Sequence, residues 1–155
     1  LPKRHGTGSG VLTPYQTFDT ADRPICIAAG NDRLFVKMAQ AMGHAAWSTD
    51  PRFADGRQRT ANRAALVAVM QPVLRSRSRQ DWLGILGEAG VPAAPVNDIA
   101  DLASSDQLQA IDMLRTLPGS DLRITGLPIS FDRQRPHTRR AAPKLGEHGK
   151  EIFDS

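Results

Sequence analysis

Pro14-Tyr15-Gln16-Thr17-Phe18, a polar break from Asp19 to Pro24, and then Ile25-Cys26-Ile27-Ala28-Ala29-Gly30-Asn31-Asp32-Arg33-Leu34-Phe35 decide the architecture of this chain. The first run alternates large and polar side chains as a half-buried strand does, and the second reads as its buried neighbour. A turn at or near Asp22-Arg23 joins them. Gly30 permits close backbone approach, Asn31 is a good N-cap, and Asp32 falls in the first helical turn, where free N–H groups and the helix dipole favour negative charge. Strand end, glycine and helix start together resemble the rim of a site, with Tyr15 and Gln16 beside it. Ordinary helix capping accounts for the same residues without a ligand, and Tyr15 reads equally as an edge tyrosine with a packed ring and a wet hydroxyl.

Working outward, the helix runs from about Asn31 to Met42, with Leu34, Phe35, Met38, Ala41 and Met42 on one face and Gly43 placed to end it. Trp47 to Arg59 forms a loop or short helix pinned by its aromatics. A second helical pattern begins near Asn62 and carries Leu66, Val67, Met70, Val73 and Leu74. Pro72 inside it should kink or end the helix early. Ser78 with Asp81 makes a capping-box start for a helix bearing Trp82, Leu83, Ile85, Leu86 and Ala89, stopped by Gly90 and Pro92. Val91 to Val96 is held extended by its prolines. Asn97-Asp98 opens a short helix through Leu102, another covers Asp106 to Ile111, and a hairpin joins Met113–Leu117 to Leu122–Thr125.

Ile129 and Phe131 allow one more short strand before a polar stretch rich in proline and arginine, Gln134 to Gly149, with a short helix near His148 to Phe153. The pattern predicts an α+β fold: a small antiparallel sheet packed with several helices, followed by an extended C-terminal tail. Residues 1–13 read as a linker or loop remnant, residues 14–126 as the small domain, and residues 127–155 as a tail that needs another surface to lie on.

A length of 155 residues suits one ordinary domain with a real core, and 40% hydrophobic against 23% charged residues is a globular balance. No apolar run approaches membrane-spanning length, and the basic N-terminus has no hydrophobic stretch behind it, so it is not a secretory signal. The single cysteine, Cys26, excludes an internal disulfide, fits a reducing, cytoplasmic compartment, and reads as a small buried core residue. Four scattered histidines, His5, His44, His137 and His148, lack ligand spacing, so no metal site is expected. The net charge of +4 is a mild excess. Arg133, Arg135, Arg139, Arg140 and Lys144 could meet phosphates, but no aromatic interleaving or nucleic-acid motif accompanies them, and a solvated surface run is the plainer reading.

No nucleophile elbow, phosphate loop, zinc-protease motif or dinucleotide fingerprint is present. Several ordered blocks nevertheless make a shared pattern: Pro14-Tyr15-Gln16-x-Phe18-x-Thr20-x-Asp22, Ala28-Ala29-Gly30-Asn31-Asp32-x-x-Phe35, Asp50-Pro51-Arg52-Phe53, Asn62-Arg63, Trp82, Gly90-Val91-Pro92-x-x-Pro95-Val96-Asn97-Asp98 and Leu145-Gly146-Glu147-His148. Taken together they resemble the C-terminal half of a class III CoA-transferase, the group that includes formyl-CoA and carnitine CoA-transferases. Arg23 stands where a glycine is usual in that group, and Gly149 where a threonine is usual.

The resemblance implies an acyl-CoA:carboxylate CoA-transferase working through a covalent aspartyl intermediate. Its nucleophilic aspartate belongs to an N-terminal Rossmann-like part not represented here. No residue of this chain is therefore assigned a catalytic role, and the chain alone is expected to be inactive. Substrate-binding roles fall to Tyr15, Gln16, Gly30, Asn31 and Asp32. The substrates implied are a coenzyme A thioester and a carboxylic acid acceptor. No prosthetic group is implied, and the complete chain is expected to form a homodimer. Related alpha-methylacyl-CoA racemases, which place a proton-transfer glutamate where Asp32 aligns, are the alternative enzyme reading. A basic nucleic-acid-binding module and a non-catalytic folding or dimerisation unit are the alternatives outside enzymes.

Overall fold

The structure, a computed structural model, describes residues 4–153. Its first strand, β1 (Tyr15–Phe18), pairs antiparallel with β2 (Ile25–Ala28), with Tyr15 opposite Ala28 and Phe18 opposite Ile25. The turn between them is tied by the Thr20 hydroxyl, which donates to the Arg23 carbonyl at 2.6 Å and to Asp22 Oδ1 at 2.7 Å. Arg23 keeps a negative φ in this turn, so the missing glycine costs nothing there. Asp22 Oδ1 also accepts from the Arg79 N–H at 2.7 Å. The Arg79 amide, then the Thr20 hydroxyl and the Arg23 amide, hold the Asp22 carboxyl down at about 2.

Helix α1 (Asp32–Ala41) follows β2, capped by Asn31 Oδ1 accepting from the Leu34 N–H and ended by Gly43 at φ +77°. A single 3₁₀ turn (Ala45–Ser48) leads to the short helix α2 (Gly56–Ala61), then α3 (Arg63–Leu74) and α4 (Arg79–Glu88). Helix α3 runs two residues past Pro72 instead of stopping short of it. In the last turn the proline removes one ladder bond, and burial of Leu74 compensates. The Ser78/Asp81 capping box starts α4, and the Trp82 indole N–H donates to the Leu74 carbonyl at 2.8 Å, locking α4 to the end of α3.

The proline-held segment after α4 is a true strand, β3 (Ala93–Pro95), antiparallel to β2 with Cys26 opposite Ala94. The sheet order is β1-β2-β3, so Pro95 sits on an edge strand, and the flanking Ala28 and Val96 amides donate to the Pro92 and Pro24 carbonyls. Phe18, Ile25, Ile27 and Ala29 of the sheet, Phe35, Met38 and Met42 of α1 and its end, Phe53, Leu66, Met70, Leu74, Trp82, Leu86 and Val91 form one buried cluster. Cys26 is not in it: strand alternation turns its side chain to the opposite face from Ile25 and Ile27, where it is half-buried.

Contacts divide the chain into two compact units, Leu1–Val96 and Asn97–Ser155. The second holds α5 (Ile99–Ala103), α6 (Asp106–Ala110), the hairpin β4 (Leu114–Thr116) with β5 (Arg123–Thr125), and α7 (Gly149–Phe153). The strand expected around Ile129 and Phe131 is absent. Phe131 only bridges Gln134 across a tight turn in which Asp132 and Arg133 take positive φ, leaving no partner strand. Of the linker expectation, residues 1–3 lie outside the described residues. Residues 4–13 run beside β1, with the Thr7 and Thr17 hydroxyls 2.7 Å apart and the Ser9 N–H donating to the Tyr15 carbonyl at 2.9 Å.

Candidate functional site

Gly30, Asn31 and Asp32 form the corner between the central strand and α1, and one side chain organises that corner from within. Arg59, on α2, is completely buried. Its Nη2 donates to the Gly30 carbonyl at 3.0 Å and to Asp32 Oδ1 at 2.7 Å, Nε donates to the Thr13 carbonyl at 2.9 Å, and Nη1 to the Phe53 carbonyl at 3.1 Å. The guanidinium lies over the Phe35 ring, 4.5 Å from its centre. Asp55 Oδ1 accepts from the Gln58 N–H at 2.7 Å and so caps the helix that carries Arg59.

The Asp32 side chain remains 64% exposed although it pairs with Arg59, so the corner presents a carboxylate whose orientation is fixed from the protein side. Asn31 spends its Oδ1 on the cap, which is the capping role its sequence position suggested. Gly30 answers to a close approach: a Cβ there would stand 2.8 Å from the Leu12 Cβ, so Leu12 packs directly on the corner. Beside it runs a shallow groove of about 480 Å³ lined by Gly10, Val11, Gly56, Arg57, Thr60 and Ala61. The Thr60 hydroxyl donates to the Gly56 carbonyl at 2.9 Å, with the Val11 carbonyl 3.4 Å away across that groove.

Tyr15 and Gln16 lie on the edge strand beside the corner, and the Ala29 N–H donates to the Pro14 carbonyl at 2.9 Å. Tyr15 is 43% exposed, and Gln16 is half-buried with its Oε1 toward Gly8. The two side chains leave opposite faces of the strand, so they do not converge on one point. Sequence reasoning missed Arg59 altogether. The sequence placed it only at the end of the Trp47–Arg59 loop or short helix, and the tertiary fold buries it on α2.

Among the described residues no group of three or more His, Cys, Asp or Glu side chains is arranged to hold a metal ion, and no helix is long and apolar enough to cross a membrane. Of the C-terminal arginines, Arg135 donates to the Leu127 carbonyl at 2.8 Å. With Arg115, Arg133 and His137 it lines a cleft of about 640 Å³ in the second unit.

Residues 1–149 match the sequence signature of CoA-transferase family III. An acetyl-CoA:oxalate CoA-transferase of Acetobacter aceti is 35% identical over 153 residues, covering 96% of this chain and 38% of the relative. The succinate–glutarate CoA-transferase of Agrobacterium fabrum is 29% identical over 155 residues, covering 98% of this chain and 39% of the relative. A solved CAIB/BAIF family protein from Brucella suis matches the structure with a TM-score of 0.88 at 36% identity, over 99% of this chain and 40% of that one. The chain thus spans about two fifths of the length of the relatives it matches.

Proposed function

Because the chain belongs to CoA-transferase family III, we propose that it is the substrate-covering part of an enzyme that moves coenzyme A between an acyl-CoA thioester and a free carboxylic acid. The observation that carries this reading is the Gly30–Asp32 corner, an exposed carboxylate held in one orientation by a buried arginine at the end of the central strand. The corner and the groove beside it face the acyl group. Tyr15 and Gln16 flank it, residues 14–126 close over the acyl pocket, and residues 127–155 pack on the rest of the complete protein, which is a cytoplasmic homodimer.

The nucleophile is an aspartate carboxylate outside this chain. It attacks the thioester carbonyl and expels the CoA thiolate, forming an acyl–aspartyl anhydride. The thiolate then attacks the aspartyl carbonyl of the anhydride, giving an aspartyl-CoA thioester and releasing the acyl group as its free acid. The acceptor carboxylate repeats the sequence in reverse and leaves as the new thioester. The corner's part is to seat the acyl group and keep water from the anhydride.

The names of the relatives suggest the first substrates to try. The complete protein, incubated with acetyl-CoA or succinyl-CoA and with oxalate or glutarate, should yield the acceptor's thioester, read by chromatography. Hydrolysis to free CoA alone would reject the transferase. Deuterium entering the acyl alpha carbon from solvent, with no acceptor present, would instead establish proton-transfer chemistry of the racemase kind.

A further inference from the structure

We infer that Arg59 is a positioning residue for the acyl-facing corner, setting the geometry of Gly30 and Asp32 from inside the core. This deepens the transferase reading and rests on it for its functional half.

A fully buried arginine is costly, and an apolar side chain of similar volume would give a stable core more simply. Arg59 is instead spent on joining segments. Its four hydrogen bonds reach Thr13, Phe53 and the Gly30–Asp32 corner, three segments that sequence keeps apart. Three of the acceptors are backbone carbonyls outside helices and strands: Thr13 closes the N-terminal loop, Gly30 ends the central strand's run, and Phe53 lies in the loop before α2. A single nitrogen, Nη2, serves both Gly30 and Asp32, so the carboxylate cannot move without leaving the donor that fixes the backbone beneath it. The ring of Phe35, on the same helix as Asp32, supports the guanidinium plane. The same helix α2 carries Gly56, Arg57 and Thr60 to the groove, so one residue aligns the corner with its wall.

The planar fork, not the charge, makes this arrangement work. A lysine at this position retains a cation but offers three donors on one atom and cannot serve four acceptors spread around a plane. Arg59→Lys in the complete protein is therefore the informative variant. It should fold but melt below the wild type, with amide exchange rising more at Gly30–Leu34 and around Phe53 than in α3 and α4. Turnover should fall by about tenfold to a hundredfold, with a much smaller change in KM for the acyl-CoA.

Exchange at the corner that rises no more than in α3 and α4 in Arg59→Lys, or a turnover within about twofold of the wild type, overturns the assignment. If the wild-type complete protein moves no CoA, the transferase reading fails by itself, and the exchange measurement still decides what Arg59 orders. If Arg59→Lys does not fold, Asp32→Ala takes its place. With Gly30 still held by Arg59, exchange at Gly30–Leu34 should rise no more than in α3 and α4, whereas a larger rise there would credit the order to Asp32 alone.

Discussion

Asp32 and Asp22 each hold a carboxylate at a helix start, yet their partners give them different work. Asp32 is the counterion of a fully buried cation, so its removal leaves Arg59 charged and short of one acceptor inside the core. Asp32→Ala should therefore lower stability by about 1–3 kcal/mol in urea unfolding, and Asp32→Asn, which keeps an oxygen for Nη2, by less than half of that. An equal loss in both variants would show that charge, not the hydrogen bond, satisfies the arginine. Asp22 is linked to pH instead. Folding lowers its pKa from 3.8 to about 2, because the Arg79 amide and the Thr20 hydroxyl bind the ionised form. A depressed carboxylate adds stability above its unfolded value and loses it as pH falls through its folded value. The melting-temperature advantage of the wild type over Asp22→Asn should thus be full near neutrality, shrink from about pH 4 downward and disappear only below about pH 2. A difference that stays constant across that range would assign the contact no linkage to folding.

Among elements, helix ends separate backbone strain from space. Gly43 closes α1 at φ +77° with nothing within 4 Å of an added Cβ, while Gly84 lies in the middle of α4 with the same empty surroundings. Gly43→Ala should cost about 1 kcal/mol because only the left-handed backbone resists it. Gly84→Ala should gain about 0.5–1 kcal/mol from helix propensity, and urea unfolding of the two variants checks both signs. The elements legible in the sequence were those whose signals are local. These were β1 and β2 by alternation, α1 and α4 by their caps, the hairpin by Pro118-Gly119, and the Gly30–Asp32 corner by its cap residues. What escaped needed a partner from elsewhere in the chain. The segment Ala93–Pro95 is a strand because β2 offers it an edge, Ile129–Phe131 is none because nothing does, and Cys26 faces away from the core because register, not hydrophobicity, decides the side. Arg59 escaped most completely, since no local pattern announces that a charged residue in a polar run will be buried by loops from three directions.

For the whole molecule, the distribution of buried surface is uneven and carries a consequence. The Leu1–Val96 unit contains the entire buried cluster, whereas no described residue of Asn97–Ser155 falls into the buried class. Leu122, Leu127, Ile129, Phe131, Ile152 and Phe153 are each more than half exposed there. Apolar side chains left in water contribute nothing to folding, so the second unit relies on its caps, its hairpin ladder and arginine clasps such as Arg115 to the Pro136 carbonyl. Local opening in that unit should accordingly cost much less than unfolding of the first. In the 155-residue chain, hydrogen exchange followed by mass spectrometry should find the amides of α3 and α4 opening only with global unfolding. Amides of residues 97–153 should exchange far faster. In the complete protein proposed above, cover over Leu127, Ile129, Phe131, Ile152 and Phe153 should slow exchange in that unit, since each covered side chain returns about 1.5–3 kcal/mol of burial. Slow exchange throughout residues 97–153 in the short chain would mean that this unit holds itself together, and the need for another surface would fall with it.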